Sequence, residues 1–160
     1  LNIFDNFKSI LDRNYRSLDI KGMPGSLDVF HGLRKNGVSV ACNTGYNREM
    51  AEFLVSRIGW CEGRDYDLLV TASDVSESRP HPAMILQAMA LGGIENASDV
   101  AKVGDSAIDI EEGKNAGCGL TFGITTGAQT REQLQAASPD FVVDHLYEVL
   151  EVVIAGSWKK

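Results

Sequence analysis

Short apolar runs alternate with helix-forming stretches from Gly25 onward, and this alternation constrains the fold more than any other feature of the sequence. The apolar runs predict strands at residues 38–42, 68–70, 100–103, 120–124 and 141–143. Start and stop signals, among them Asn47 and Pro80, predict helices at residues 27–35, 47–58, 80–91, 108–116, 131–136 and 145–155. Strands that alternate with helices are typical of parallel pairing with helical crossovers. The sequence therefore predicts an α/β fold built on a doubly wound parallel sheet.

The first twenty residues follow a different pattern. Apolar side chains recur there at helical spacing, at positions 3, 7, 10, 11, 15 and 18. This spacing predicts an amphipathic helix, which the Gly- and Pro-containing segment 21–25 ends. The chain then divides into a helix at 1–20, an α/β core at 21–155 and a tail at 156–160.

The composition argues against several classes of function. The chain has 160 residues, of which 44% are hydrophobic and 23% are charged, and this fits one globular domain. A net charge of −7 argues against nucleic acid and against an anionic membrane surface as partners. Every apolar run is too short for a transmembrane helix, and the charges among the first twenty residues are not typical of a signal peptide. Three cysteines, an odd number without metal-ligand spacing, indicate reduced thiols in a cytoplasmic protein.

The strand predicted at 100–103 leads into a pair of carboxylates. Asp105 stands at the carboxyl end of that strand, where open α/β sheets bind ligands, and Asp109 lies one helical turn further on. Two carboxylates that converge on one point suit Mg²⁺, which proteins hold through one or two carboxylates together with substrate phosphate. The alternative is a plain strand–turn–helix in which Asp105 and Ser106 only cap the helix.

Two further segments carry groups that bind anions. Thr44 and Gly45 follow the first predicted strand, and a hydroxyl beside backbone N–H groups at a helix start binds phosphate oxygens. The alternative is that Thr44 only caps the helix. Arg79 is held by Pro80 at a helix entrance, where its guanidinium would present a fork of donors to an anion; the alternative is a solvated surface side chain. His81 is left outside the site, because polar residues are common in the first turn of a helix.

In their order along the chain, these segments resemble the second, third and fourth motifs of the haloacid dehalogenase-like (HAD) hydrolases. Most members of that family are Mg²⁺-dependent phosphotransferases that use an Asp nucleophile. The sequence is most similar to the phosphonatase (phosphonoacetaldehyde hydrolase) and phosphonatase-like branch, through TGYNREM at 44–50, SRPHP at 78–82 and VGD at 103–105. Arg79 stands where typical HAD phosphatases carry Lys, as it does in that branch. The resemblance covers about residues 20–153.

The resemblance implies a HAD-like Rossmannoid sheet and a role for each candidate residue. Thr44 and Gly45 would bind the phosphoryl or phosphonyl oxygens of the substrate. Arg79 would act with Thr44 in catalysis, orienting the nucleophile and neutralising charge. Asp105 would be a Mg²⁺ ligand, and Asp109 would support the metal site or its waters.

The resemblance also implies parts that are missing from this sequence. The first HAD motif, a strand that ends in the Asp nucleophile, and most of the helical cap are not in their expected places, and residues 1–20 resemble the last cap helix. Asp5 follows apolar residues but lacks the Gly-Thr that should come after it, so we do not assign it as the nucleophile. The absent strand would lie between the strands that lead to Thr44 and Asp105. We therefore expect a fragment that is inactive alone and poorly stable.

These observations predict the C-terminal core of a Mg²⁺-dependent HAD hydrolase that acts on a small phosphorylated or phosphonylated metabolite. The sequence does not separate C–P from P–O cleavage, since the cap that chooses the substrate is missing. One alternative is a HAD phosphatase of the phosphoglycolate or sugar-phosphate type, against which Arg79 counts. A second is a non-catalytic α/β binding module, against which the joint presence of Thr44, Arg79, Asp105 and Asp109 counts. The resemblance also leaves room for a homodimer formed through the cap of the full-length protein.

Overall fold

A computed structural model describes residues 20–156 of the chain. The helix predicted at 1–20, with Asp5, and the tail predicted at 156–160 lie outside these residues, apart from Ile20 and Gly156. The described strands are β1 (Ala41–Thr44), β2 (Leu68–Thr71), β3 (Ala101–Gly104), β4 (Leu120–Ile124) and β5 (Phe141–Val143). The α-helices are α1 (Ser26–Lys35), α2 (Arg48–Arg57), α3 (Ala83–Gly92), α4 (Ala107–Ala116), α5 (Arg131–Ala136) and α6 (Leu146–Ala155).

The strands form two parallel sheets. β1 pairs with β2 in one sheet, and β3, β4 and β5 pair in that order in the other. Alternating helices and parallel strands confirm the predicted α/β class. Within residues 20–156, β1 and β3 are not paired with each other, so the parallel strands are divided between two sheets. These are the two strands between which the resemblance to HAD hydrolases places a further strand.

Most element boundaries agree with the sequence prediction, but the first strand does not. The apolar run predicts residues 38–42, whereas β1 begins at Ala41, whose partner in the ladder is Leu68. Both backbone groups of Val40 form hydrogen bonds with Asp67: the carbonyl accepts from Asp67 N at 2.8 Å, and the N–H donates to the Asp67 carboxylate at 2.8 Å. The helix predicted from residue 80 likewise begins later, at Ala83.

Each sheet has an apolar cluster of its own. The β3–β4–β5 sheet packs on Leu120, Phe122, Ile124, Val143, Val149 and Val153, all of which are buried. The β1–β2 sheet packs on a smaller set, Val40, Ala51, Tyr66 and Leu69. Leu33 of α1 contacts both clusters, so this helix joins the two sheets at the side.

Helix length and cysteine state can be compared with the predictions from composition. In the part of the chain that the structure describes, no helix is both long and apolar enough to cross a membrane. Cys42, Cys61 and Cys118 are free thiols, as the sequence predicts. Burial raises the pKa of Cys42 and of Cys118 to about 11, whereas the side chain of Cys61 is exposed.

Candidate functional site

The turn after β1 presents Thr44 and Gly45 at the carboxyl end of the strand. The Thr44 hydroxyl accepts a hydrogen bond from Tyr46 N at 3.2 Å. Asn47 caps α2 instead, through an Oδ1 atom that accepts from Met50 N at 2.9 Å. Thr44 is therefore not the helix cap, and the sequence-based alternative of a pure capping role is wrong.

Arg79 lies against this turn and is not a solvated surface side chain. A Cβ atom added to Gly45 would lie 2.8 Å from Arg79 Nη2, so the lack of a side chain at position 45 leaves room for the guanidinium. The other terminal nitrogen, Nη1, donates to Oδ1 of Asp109. Asn115 of α4 donates to the carbonyl oxygen of Pro80 at 2.9 Å, which holds the backbone next to Arg79.

Asp109 lies in the first turn of α4, where it is 4% exposed. The Ser106 hydroxyl caps α4 and donates to Asp109 Oδ2 at 2.6 Å. A Cβ atom on Gly104 would stand 2.1 Å from the Cβ of Asp109, so only glycine fits at the end of β3. Burial alone would raise the pKa of Asp109, but the charges of Lys102 and Arg79 and the Ser106 hydroxyl hold that pKa below its ordinary value.

Asp105 is held by the loop that follows β4. One oxygen of its carboxylate, Oδ2, accepts from Ala128 N at 3.0 Å, and its carbonyl accepts from Gln129 N at 3.2 Å. A Cβ atom on Gly127 would collide with that same Oδ2 atom at 2.0 Å. The helix cap is Ser106 and not Asp105, so the Asp105 side chain is held at the carboxyl edge of the sheet by residues far along the chain.

The donor chemistry around these carboxylates decides how well the site suits Mg²⁺. Asp105 offers a hard oxygen ligand of the kind that Mg²⁺ prefers. Asp109 is instead shared by two cations, Arg79 and Lys102, and by a hydroxyl. Within residues 20–156 no three His, Cys, Asp or Glu side chains gather closely enough to hold a metal ion among themselves. Of the described residues, Asp105 is therefore suited to bind Mg²⁺ directly, whereas Asp109 would support the metal site without binding the ion. The metal roles of both residues stay predictions.

Three polar residues beside this site, two buried and one half-buried, were not singled out as site residues by the sequence. They are Asn43 on β1, Lys102 on β3 and Glu112 on α4, and we name them the seam cluster because they join the two sheets. Lys102 Nζ lies 2.7 Å from Glu112 Oε2 and donates to Asn43 Oδ1 at 2.8 Å. The signal in the sequence was a lysine inside an otherwise apolar strand, since a buried charge requires a partner.

The structure therefore brings some of the predicted residues into contact and places others beside them. Gly45, Arg79 and Asp109 form one continuous set of contacts. Thr44 and Asp105 stand next to that set, at the carboxyl ends of β1 and β3. His81 pairs with Glu77 at 2.6 Å on the surface.

Comparison with known proteins identifies the family of the chain. The sequence profile of the haloacid dehalogenase-like hydrolases matches residues 5–117, which is more than half of the chain. The chain belongs to this family. HAD hydrolases named phosphonoacetaldehyde hydrolase are among its similar sequences: that of Bacillus cereus (strain AH187) is 35% identical over 129 residues, covering 81% of this chain and 48% of the relative. The chain thus spans about half the length of the curated relatives it matches.

Solved structures of HAD proteins support the fold. A phosphonoacetaldehyde hydrolase-like protein from Oleispira antarctica has a TM-score of 0.70 at 26% identity, covering 84% of this chain and 57% of that one. A Thermotoga maritima protein provisionally named a β-phosphoglucomutase has a TM-score of 0.79 at 19% identity, covering 96% and 70%. At that identity the second likeness concerns the fold alone.

Proposed function

We propose that this HAD hydrolase chain binds the phosphoryl or phosphonyl group of a small metabolite between the Thr44–Gly45 turn, Arg79 and Asp105. The observation that carries the proposal is the position of Arg79, whose guanidinium contacts both Gly45 and Asp109. A guanidinium held at the carboxyl edge of parallel strands presents fixed donors where such folds bind their ligands. The names of the relatives, phosphonoacetaldehyde hydrolases, support a phosphonate or phosphate as the substrate class.

Each side chain in the proposed site has a separate task. The Thr44 hydroxyl and the backbone N–H groups of the turn would donate to oxygens of the bound group. Arg79 would neutralise the negative charge that these oxygens carry. Asp105 would hold Mg²⁺, which when bound supplies charge stabilisation to a phosphoryl oxygen. Asp109 would keep the guanidinium of Arg79 in place.

Within residues 20–156 we assign no nucleophile. The two carboxylates nearest the bound group have other partners, since Asp105 accepts from Ala128 N and Asp109 is paired with two cations. We therefore propose that this part of the chain binds the anion without turning it over, and that hydrolysis requires a carboxylate from elsewhere in the protein. Arg79 in place of Lys favours the phosphonatase-like reading over a phosphoglycolate or sugar-phosphate phosphatase.

The proposal is tested by thermal unfolding of the 160-residue chain with orthophosphate, with and without Mg²⁺. A ligand at one hundred times its Kd stabilises the folded state by about 2.7 kcal/mol. We expect phosphate with Mg²⁺ to raise the midpoint in the wild type and to lose the Mg²⁺-dependent part of that rise in Asp105→Asn. The matched control is Asp99→Asn, which removes the same charge from an exposed turn. The proposed function is contradicted if phosphate does not change the unfolding midpoint of the wild type. It is also contradicted if Asp105→Asn keeps the full Mg²⁺-dependent rise of the midpoint.

A further inference from the structure

The seam cluster contains a buried, electrically balanced ion pair that is linked to Arg79 through Asp109. Lys102 is 5% exposed and Glu112 is 0% exposed. The two side chains form an ion pair with each other, with 2.7 Å between Lys102 Nζ and Glu112 Oε2. Asn43 Nδ2 donates to both carboxylate oxygens of Glu112, at 3.1 Å and 3.2 Å. Among the described residues no buried side-chain nitrogen or oxygen is without a hydrogen-bond partner. The cluster is therefore fully satisfied, and a fully satisfied polar network fixes one arrangement of its members.

The cluster reaches the proposed anion site through a single carboxylate oxygen. Oδ1 of Asp109 pairs with Arg79 Nη1 and also lies 3.5 Å from Lys102 Nζ. Glu112 follows Asp109 by three positions on α4, so both carboxylates face the same lysine. The position of Lys102 between Glu112 and Asp109 decides how much negative charge Asp109 directs at Arg79.

We propose that the seam cluster divides the Asp109 carboxylate between Lys102 and Arg79, which leaves the Arg79 guanidinium able to bind an anion. The inference rests on the proposed function, because it concerns the same anion. Lys102 and Glu112 act through Asp109 and do not touch the bound group, so both are positioning residues. Asn43 holds the lysine from the opposite sheet and so transmits the relative position of β1 and β3 to Arg79.

This role predicts effects of opposite sign for two neighbouring buried residues. Lys102→Met removes one of the two cations that pair with Asp109, so the whole carboxylate charge acts on Arg79. The variant also makes the net charge more negative by one, so orthophosphate binding should weaken by about tenfold. Glu112→Gln keeps the shape and frees Lys102 to pair with Asp109, so binding should tighten by about threefold or more. The electrically balanced double variant should return towards the wild type. A purely structural role would instead weaken binding in all three variants, in proportion to their loss of stability.

The experiment is a calorimetric titration of orthophosphate into the full 160-residue chain and these variants. Matched controls are Lys114→Met and Glu111→Gln, which make the same charge changes at exposed positions of α4. The controls should bind phosphate within about twofold of the wild type, since exposed charges are screened. Affinity changes of one sign in Lys102→Met and Glu112→Gln, or changes equal to those of the controls, overturn the inference. If Lys102→Met does not fold, Glu112→Gln decides together with the side-chain signal of Arg79, since coupling through Asp109 requires both that binding tightens and that the pairing of the guanidinium changes.

A second readout separates failure of this inference from failure of the proposed function. The side-chain Nε–H signal of Arg79 in a ¹H–¹⁵N spectrum, assigned by its loss in Arg79→Lys, reports the pairing of the guanidinium without any ligand. It should move in Glu112→Gln and stay in place in Glu111→Gln. A wild type that binds no phosphate, with an Arg79 signal that still responds to Glu112→Gln, refutes the proposed function alone. If Glu112→Gln folds and the Arg79 signal does not move, the proposed coupling between the seam cluster and Arg79 is refuted.

Discussion

The two sheets of this chain differ in the size of the apolar cluster on which each one packs. The β3–β4–β5 side, residues 101–155, packs on an apolar cluster around Phe122, which is fully buried. The β1–β2 side, residues 38–82, has a smaller apolar cluster, although carboxylates accept from backbone N–H groups on both sides, as Asp140 does from Thr121 N at 2.7 Å on the β3–β4–β5 side. Asp67 accepts from Val40 N at 2.8 Å, and Asp74 accepts from Thr71 N at 2.7 Å. A two-stranded sheet is marginal alone, so we expect the side with the smaller apolar cluster to be the less stable of the two.

This difference matters because the candidate site takes residues from both sides. Gly45 and Arg79 belong to the β1–β2 side, whereas Asp105 and Asp109 belong to the other. Polar contacts join the two sides near the site: the Arg79–Asp109 ion pair, the seam cluster and the hydrogen bond from Asn115 to Pro80 O. The proposed anion site therefore lies where a sheet with a large apolar cluster meets a sheet with a smaller one.

The largest expected effect comes from the apolar clusters. Phe122→Ala should lower the free energy of unfolding by about 3–5 kcal/mol, because it removes a fully buried ring. Leu69→Ala on the β1–β2 side should cost about 2–3 kcal/mol, since fewer apolar neighbours surround it. The measurements are chemical unfolding and amide hydrogen exchange on each variant.

Hydrogen exchange also locates the damage within the molecule. In Leu69→Ala, the amides of β1 and β2 should exchange at least about tenfold faster than those of β4, since local opening requires less free energy than global unfolding. In Phe122→Ala, protection should fall in both sheets. Equal loss of protection throughout the chain in Leu69→Ala would mean that the two sides unfold as one, contrary to the comparison.

The two sides should also differ in how their stability depends on pH, and we expect this effect to be smaller. Asp65 is 2% exposed, and hydrogen bonds from Arg64, from Cys61 N and from His31 hold its pKa well below its ordinary value. A carboxyl with a lowered folded-state pKa contributes stability above its unfolded pKa of about 3.9, and loses that contribution as the pH falls towards the folded value. The β1–β2 side should therefore lose protection as the pH is lowered below about 5.

The matched variants are Asp65→Asn and Asp144→Asn, one on each side. The pKa of Asp144 is also lowered, by hydrogen bonds from Thr125 and Arg131, but this side chain is 57% exposed. Asp65→Asn should flatten the dependence of stability on pH between about pH 5 and 2 more than Asp144→Asn does. Thermal unfolding across that range measures both, and a larger flattening in Asp144→Asn would reverse the comparison.

The sequence predicted local structure better than it predicted contacts between distant segments. β4 begins and ends where its apolar run does, because every residue of that strand is buried. β1 was misplaced because the Asp67 carboxylate, 27 positions away, binds the backbone of Val40. The resemblance implied that Gly45 binds the substrate; in the structure, the lack of a side chain at Gly45 also makes room for the guanidinium of Arg79.

The seam cluster shows why the rest of the site could not be predicted. Asn43 and Lys102 are 59 positions apart, and each taken alone is an ordinary polar residue on a short strand. Their pairing follows only from how the two sheets face each other, which no local sequence pattern contains. Ser106, in contrast, could be predicted as a helix cap, because capping depends on the next three residues alone.

The central claim is that Arg79 binds an anion where the two sides meet, and orthophosphate titration into Arg79→Met tests it most directly. The control is Lys35→Met, which removes the same charge from an exposed position on α1. We expect Arg79→Met to weaken phosphate binding by at least about tenfold, as the loss of a charged hydrogen-bond partner does, while Lys35→Met binds as the wild type. Equal affinity in wild type, Arg79→Met and Lys35→Met would contradict the account.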